Sequence, residues 1–206
     1  MKITIAASAF IEPTPDFDLK TYLATPKTYL DRASALALAG CALALKNAGL
    51  QGPFDADFGI ALGTQFGAVE TMRGFEATLA EKGAKSVSPL LFSHSYFNSP
   101  ISLCAIEWGL KGWHGPFCGP DALRDAVTAA RDAIALGHAT RMLCGGVEAL
   151  SPARQMAGEA NPREWSAFWV LAKGGAGREF DAALEAGVFK LNDIGEQLNT
   201  SGCNSI

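Results

Sequence analysis

No run of apolar residues in this 206-residue chain approaches the roughly 18 that a membrane-spanning helix needs. No membrane span is therefore expected. Lysine and arginine number 17 against 21 aspartates and glutamates, and they nowhere cluster. The basic footprint of a nucleic-acid binder is missing. Cysteines come to five, an odd number, with no C-x-x-C pair, and the three histidines (His94, His114 and His138) are scattered without metal-ligand spacing. Neither a disulfide framework nor a metal centre is expected. Gly174-Gly175-Ala176-Gly177 lacks the G-x-x-x-x-G-K-[ST] order of a phosphate loop and reads as a turn, so no cofactor is expected either. The start, MKITIAASAF, mimics a signal peptide, but Glu12-Pro13 cuts its apolar run short, and it reads as a first core strand. Cys41, Cys104 and Cys144 lie in apolar surroundings, as small core residues of a reduced, cytoplasmic protein do. The sequon Asn199-Thr200-Ser201 then has no consequence.

Charged residues make up only 18% of the chain, which implies extensive burial or a partner surface. Lys2 to Ala9 alternates as a strand, and Glu12 to Lys27 is a proline- and threonine-rich connection. Arg32 to Ala48 is a strong helix, with Ala33, Leu36, Ala37, Cys41, Ala44 and Leu45 on one face. Phe58 to Leu62 reads as a buried strand, followed by the turn Gly63 to Gly67 and a helix from Ala68 to Glu81. Ser88 to Pro100 is irregular and aromatic. A short helix runs from Ile101 to Trp108, and Gly109 to Gly112 closes it.

The stretch from Lys111 to Leu150 organises the rest. It predicts an extended segment Trp113 to Cys118, a sharp turn Gly119-Pro120-Asp121, a helix Ala122 to Leu136 stopped by Gly137, and a strand Met142 to Cys144 running into Gly145-Gly146. Pro120 fits a first helical position and Asp121 the positive end of the helix dipole. The helix is lined by small residues on more than one side and is expected to be largely buried. Trp165 to Leu171 and Val188 to Leu191 read as further strands, and the end from Gln197 as frayed. Strands alternating with helices predict one α/β domain over residues 1–206, a mixed sheet with helices on both faces.

The order of these pieces resembles the N-terminal half of a beta-ketoacyl synthase, in the thiolase superfamily. Arg32 to Leu50 looks like the family's first long helix ending in Ala-Gly-Leu. Phe58 to Gly67 looks like its strand and Gly-Thr-x-x-Gly turn, and Ser88-Pro89 through Asn98 its S-P…F…N segment. Ala105 to Gly112 resembles the approach to the active-site strand. Ala129 to Glu148 resembles the helix and Gly-Gly-x-Glu strand, and Glu164 to Leu171 the strand that follows. The resemblance covers most of the chain. It implies a thiolase-like half-fold, because that family builds a five-layer αβαβα core from two related halves and this chain ends where the first half ends.

The resemblance also implies where chemistry should be. The family's nucleophilic cysteine belongs at the turn before the Ala122 helix. Counting back from Gly137 places it at Pro120, and counting forward from Gly112 places it at Asp121; neither is acylated as a thiol is. The two family histidines that act on the malonyl group come from the second half and have no counterpart here. Chain-length factors share the loss of the cysteine. Phe92 and Phe97 are read as core residues or, alternatively, as an acyl-pocket wall that binds substrate; Asn98 is read as a loop cap or, as the resemblance implies, as a residue that hydrogen-bonds the turn from below.

Cys118 is the alternative nucleophile. Activation needs a helix N-terminus, a histidine or a cation. His114 sits four residues back, about 13 Å along an ideal strand. Asp121 would put a negative charge where a thiolate develops, a repulsion of roughly 4 kcal/mol at about 4 Å and an effective dielectric near 20. Asp121 and His94 are read as structural, and Glu148 as a carboxylate that ties neighbouring backbone N–H groups.

Three function classes follow. One is a non-catalytic ketosynthase-like subunit of fatty-acid or polyketide-type biosynthesis that docks on a ketosynthase or an acyl carrier protein and shapes the acyl cavity. The second is an acyl-transferring enzyme using Cys118 or a partner-supplied nucleophile, and the third a small-molecule binding module. Half of a two-half fold leaves an apolar face, so a homo-oligomer or a hetero-oligomer with a ketosynthase is expected. In the family's resemblance the strand before the nucleophile pairs across a two-fold axis; here Gly115 and Pro116 make that strand a poor partner.

Overall fold

Residues 2–25, 27, 29–160, 162–185 and 189 are described by a computed structural model of the chain. The chain forms six strands: β1 (Ile3–Ile11), β2 (Phe58–Thr64), β3 (His114–Cys118), β4 (Arg141–Glu148), β5 (Trp165–Lys173) and the short β6 (Arg178–Glu179); β2, β4 and β5 are buried on both faces along most of their length. Among the described residues they form one sheet in the order β3-β2-β4-β5-β1-β6. β3, β2 and β4 run parallel, while β5 is antiparallel to both β4 and β1. The mixed sheet of the α/β reading is thus present.

Helices cover both faces. On one, α1 (Arg32–Asn47) packs with Ile60, Leu62, Leu143, Val147, Phe168 and Val170. On the other lies the helix that follows β3. The intervening residues Ala61, Met142, Cys144, Ala167, Trp169 and Leu171 point that way, as a two-residue period requires. α1 starts where the Asp31 carboxylate accepts from the Ser34 N–H at 2.9 Å and the Ser34 hydroxyl at 2.5 Å, a side-chain cap on the orphan donors of a first turn.

The 69–98 region departs from the core. α2 (Val69–Lys82) has no buried residue. The expected irregular segment contains a short helix, α3 (Pro89–Ser93), before α4 (Ser99–Trp108). α4 returns to α1, and Cys104 and Cys41 meet there with Sγ atoms 3.5 Å apart. Burial pushes the Cys41 thiol well above its ordinary pKa, as befits small core residues.

α5 (Ala122–Ala135) corrects the expectation of a largely buried helix. Ala122, Leu123, Ala126, Val127, Ala130, Ala133 and Ile134 are buried against the sheet, but Arg124 and Asp125 are exposed and Arg131 and Asp132 partly so. Most of the alanines lie on the buried side, and the other side carries Arg124, Asp125, Arg131 and Asp132 besides Thr128, Ala129 and Ala135. Pro120 also lies outside the helix. The Ala122 N–H donates to the Gly119 carbonyl at 3.1 Å, and Asp121 precedes the first turn without a side-chain cap. The polar loop after β4 contains α6 (Pro152–Met156), and α7 (Phe180–Glu185) follows β6. The expected strand Val188 to Leu191 lies outside the described residues except for Phe189, a turn residue whose ring packs on Trp169 and Phe180. The region from Gln197 also lies outside them.

Two glycines offer a test. A Cβ on Gly63 would stand 2.1 Å from the Ala122 carbonyl oxygen, a backbone atom, whereas one on Gly74 in α2 meets nothing within 4 Å. Gly63→Ala should therefore lower stability by about 3 kcal/mol or more, as overpacking against backbone does. Gly74→Ala should raise it by up to about 1 kcal/mol through helix propensity alone. Urea denaturation of both variants checks the pair.

Candidate functional site at the carboxyl ends of the parallel strands

The three parallel strands end side by side at Cys118, Thr64 and Glu148, where α/β sheets place their ligand sites. The turn Gly119-Pro120-Asp121 crosses this end. The Gly119 N–H donates to the Thr64 carbonyl at 3.2 Å. Gly119 adopts φ 135°, a conformation open to glycine. Gly63 lets the first turn of α5 settle directly on β2.

Glu148 holds the floor. Its carboxylate is buried and accepts from the Thr64 hydroxyl at 3.1 Å, from the Gln65 N–H, and from the Phe66 N–H at 3.3 Å. Thr64 in turn accepts from the Gly67 N–H at 2.8 Å. The turn after β2 is thus pinned to the end of β4. This is the role the sequence predicted for Glu148. Burial raises the carboxyl pKa above its ordinary value, against lowering by those donors and by Arg154.

Arg154 was not foreseen as a site residue. It is buried on α6 and donates from Nη1 to the carbonyls of Ala149 at 3.0 Å and Arg163 at 2.9 Å. Nε and Nη2 grip Glu159 at 2.6 and 2.5 Å. The Arg154 fork depresses the Glu159 pKa. Two signals in the sequence were available: Ser151-Pro152, a cap followed by a first-turn proline, and an arginine inside a loop between two core strands.

These groups surround a recess of ≈ 70 Å³ lined by Thr64, Gln65, Gly119, Pro120, Glu148, Arg154 and Trp165, among others. Small-molecule pockets begin near roughly 300 Å³. The recess has room for water and not for an acyl chain. Pro120 lies on its wall. Asp121 stands beside the turn, exposed.

The other predicted residues lie apart from the recess. Cys118 is exposed, its thiol 3.6 Å from the Gln65 carbonyl oxygen. His114 is exposed too, with Nδ1 2.6 Å from the Gly112 carbonyl oxygen. Phe92 and Phe97 are about half exposed, 46% and 47%. Phe92 packs between Phe75 and Tyr96, with ring centroids 5.5 and 5.1 Å away. Asn98 is exposed at the start of α4, where its carbonyl accepts from the Ser102 N–H at 3.1 Å. The Phe97 backbone lies over Gly67, so this segment covers the β2 turn from outside.

β3 forms one edge of the sheet. The Ile60 N–H donates to the Trp113 carbonyl at 2.9 Å, and Gly119 donates to Thr64 as above. In a parallel ladder every second residue bonds the same neighbour, so Trp113, Gly115, Phe117 and Gly119 serve β2. His114, Pro116 and Cys118 turn their backbone groups outward. Any strand added at this edge meets Pro116, which has no N–H to give.

A model of the beta-ketoacyl synthase N-terminal domain matches residues 2–167. The chain belongs to the beta-ketoacyl synthase family. It is 30% identical over 157 residues to a 3-oxoacyl-[acyl-carrier-protein] synthase 2 of Synechocystis sp., a match covering 73% of this chain and 37% of that protein. The chain therefore spans little more than a third of that curated relative. Solved ketosynthase structures share the fold. The ishigamide ketosynthase/chain length factor superposes with a TM-score of 0.72 at 19% identity, over 87% of this chain and 64% of that one. A type II polyketide ketosynthase in complex with its acyl-carrier protein gives 0.71 at 21%, over 90% and 65%. A ketosynthase in complex with its chain length factor from Xenorhabdus doucetiae gives 0.61 at 17%, over 85% and 81%. No described helix of this family member is long and apolar enough to cross a membrane.

Glu148 yields a prediction with a defined sign. Its pKa is raised in the folded chain from 4.5. Below 4.5 both states are protonated. Between that value and the raised one, the unfolded chain has lost the proton and the folded chain keeps it. Stability contributed here falls as pH rises through that window and then levels off. Glu148→Gln sets an amide against backbone donors and should cost about 1–3 kcal/mol. The gap between wild type and variant should be widest at low pH and shrink as pH rises, read by urea denaturation from about pH 4 to about pH 8.

Proposed function

We propose that this chain is a non-catalytic ketosynthase-like subunit of fatty-acid or polyketide-type biosynthesis, which docks on a ketosynthase or an acyl carrier protein and shapes the acyl cavity. One observation carries the reading. The turn where the family's nucleophile belongs carries Gly119-Pro120-Asp121 and lines a recess of ≈ 70 Å³ floored by Glu148 and Arg154. Claisen condensation needs a thiolate, oxyanion donors and a group assisting decarboxylation in one place. Pro120 supplies no thiol and removes one N–H donor from the turn.

The docking half of the reading is supported by the segment over the β2 turn. Leu90, Leu91, Phe92, Tyr96 and Phe97 are all more than a third exposed, an apolar patch of the kind partner surfaces use. Two of the similar structures are described as ketosynthases with chain length factors and one as a complex with a carrier protein. The open edge at Pro116 favours contact through side chains over continued strand pairing.

The competing enzyme reading rests on the exposure of Cys118, whose thiol donates to the Gln65 carbonyl oxygen and not to a base. Incubation of wild type and Cys118→Ala with acyl and malonyl thioesters separates the two. Neither protein should gain a covalent adduct in intact-mass spectra or release carbon dioxide. Stoichiometric acylation of Cys118, lost in the alanine variant, would overturn the non-catalytic reading. Phe92→Ser with Phe97→Ser should weaken binding to a type II ketosynthase at least tenfold by titration calorimetry, the loss expected of central aromatic anchors.

A further inference from the structure

The α1 side of the sheet buries a pair of thiols that the proposed function leaves unused. Cys41 lies within α1 and Cys104 within α4, 63 residues apart in sequence. Neither exposes any surface. The Cys41 thiol donates to the Cys104 sulfur at 3.5 Å, so the two sulfurs touch. The other described cysteines have no such neighbour. Cys144 is as deeply buried on the opposite face of the sheet and has no thiol partner among the described residues. Cys118 is exposed, with its thiol on the Gln65 carbonyl oxygen.

We propose that Cys41 and Cys104 form a redox-sensitive clasp, in which oxidation by a small hydroperoxide joins them in a disulfide that locks α4 to α1. The sulfurs must close from 3.5 Å to about 2 Å, which side-chain rotation and a slight approach of the helices supply. The oxidation takes two steps. One sulfur, as thiolate, attacks a peroxide oxygen. The S–O bond forms, the O–O bond breaks, and the alcohol or water that leaves carries off the thiol proton. The sulfenic acid so formed has the second thiol already against it. That sulfur attacks the first, the S–S bond forms, the S–O bond breaks, and hydroxide leaves with the second proton as water. Two thiols and one hydroperoxide thus give one disulfide, one alcohol or water, and a further water. The sulfurs lose two electrons and the peroxide oxygens gain them.

Burial sets the rate and the outcome. An enclosed thiol is seldom ionised and reacts slowly, so the clasp answers sustained oxidation and not a brief pulse. A bulky disulfide has no path to these sulfurs, whereas a small hydroperoxide enters when α4 opens. α4 is short, and Ile106 on its outer side is 76% exposed; segments of this kind open locally. Enclosure also keeps external thiols and further oxidant from the sulfenic acid. The nearest nucleophile is then the partner thiol, whichever sulfur reacts first.

The clasp reaches the surface through α4. The Ser99 N–H donates to the Tyr96 carbonyl at 3.0 Å, the Ser99 hydroxyl to the Ser93 carbonyl at 3.1 Å, and the Ser102 N–H to the Asn98 carbonyl at 3.1 Å. The segment from Ser93 to Asn98 therefore hangs from the helix that the disulfide fixes. A cross-link across 63 residues also removes much of the unfolded chain's freedom. The proposal does not rest on the docking reading and stands or falls separately.

Hydrogen peroxide applied to the folded 206-residue chain tests it, followed by an acid quench, alkylation under denaturing conditions and peptide mapping. Wild type should yield a pair of peptides linked through Cys41 and Cys104. Its Tm should rise by about 5 °C or more and return to the starting value under dithiothreitol. Amides of α4 should exchange more slowly in the oxidised chain. Cys41→Ala and Cys104→Ala should show neither the linked pair nor the rise in Tm under the same peroxide. Circular dichroism confirms that they fold; if one does not, the linked peptides and the Tm of the wild type decide. Thiols that both stay free, oxidation that runs to sulfinic acid, linkage of either to another cysteine instead, or a linked chain with an unchanged Tm would each overturn the proposal.

Discussion

The contact between Gly63 and the first turn of α5 governs this end of the molecule. With no side chain at Gly63, the Ala122 carbonyl comes to within 2.1 Å of where a Cβ would be. Strand and helix therefore touch backbone to backbone, and a sheet cannot give way there without breaking its ladder. The turn Gly119-Pro120-Asp121 is drawn down onto Thr64 as a consequence. What lies above β2 is the space left between that turn and Glu148, and the space is small. Similar close approaches recur in the next strand, where a Cβ on Gly145 would stand 2.0 Å from the Ala167 carbonyl oxygen.

Two buried ions frame the space and are stabilised differently. Glu148 is surrounded by N–H and O–H donors from one turn. Arg154 is spread over two carbonyls and one carboxylate. A buried ion costs several kcal/mol unless its bonding capacity is filled, and these partners fill much of it. The arrangement is stiff because each partner is main chain or is itself held. Removing one ion leaves oriented dipoles with nothing to face, which is why a fully satisfied polar floor resists change more than an apolar one of equal size.

Much of this was legible in the sequence. The short apolar runs of β2, β4 and β5 and the three- and four-residue spacing in α1 located the core, and the order of strands and helices gave the mixed sheet. Glu148 was legible because a carboxylate after two glycines at a strand end has few other uses. α5 was misread because its alanines were counted without the Arg-Asp pairs between them; periodicity locates the apolar side, and only the residues opposite reveal whether there are two. Pro120 was placed at the first helical position although the helix begins two residues later at Ala122, since a proline just before a helix satisfies the same preference for a fixed φ. Arg154 was missed because two of its partners are main-chain carbonyls, of Ala149 and Arg163, that any sequence would offer, and the third, Glu159, stands in a polar loop like any exposed carboxylate. The distance between Phe92 and the turn depends on how the 69–98 region leaves the sheet, a matter of tertiary packing with no local signature.

That region bears on motion as well as contact. α2 buries none of its residues, and it is held by the Phe75–Phe92 ring contact and by hydrogen bonds open to water. Segments with little buried apolar area open at a fraction of the global unfolding free energy. Amide protons of Val69–Lys82 would then exchange with solvent far sooner than those of α1 or β4, while the sheet beneath stays closed. The Leu90–Phe97 patch touches α2 through the same ring contact and rests on the β2 turn where the Phe97 backbone meets Gly67. Opening of α2 leaves the polar floor at Glu148 in place, because Glu148 is bonded to the β2 turn and not to that helix.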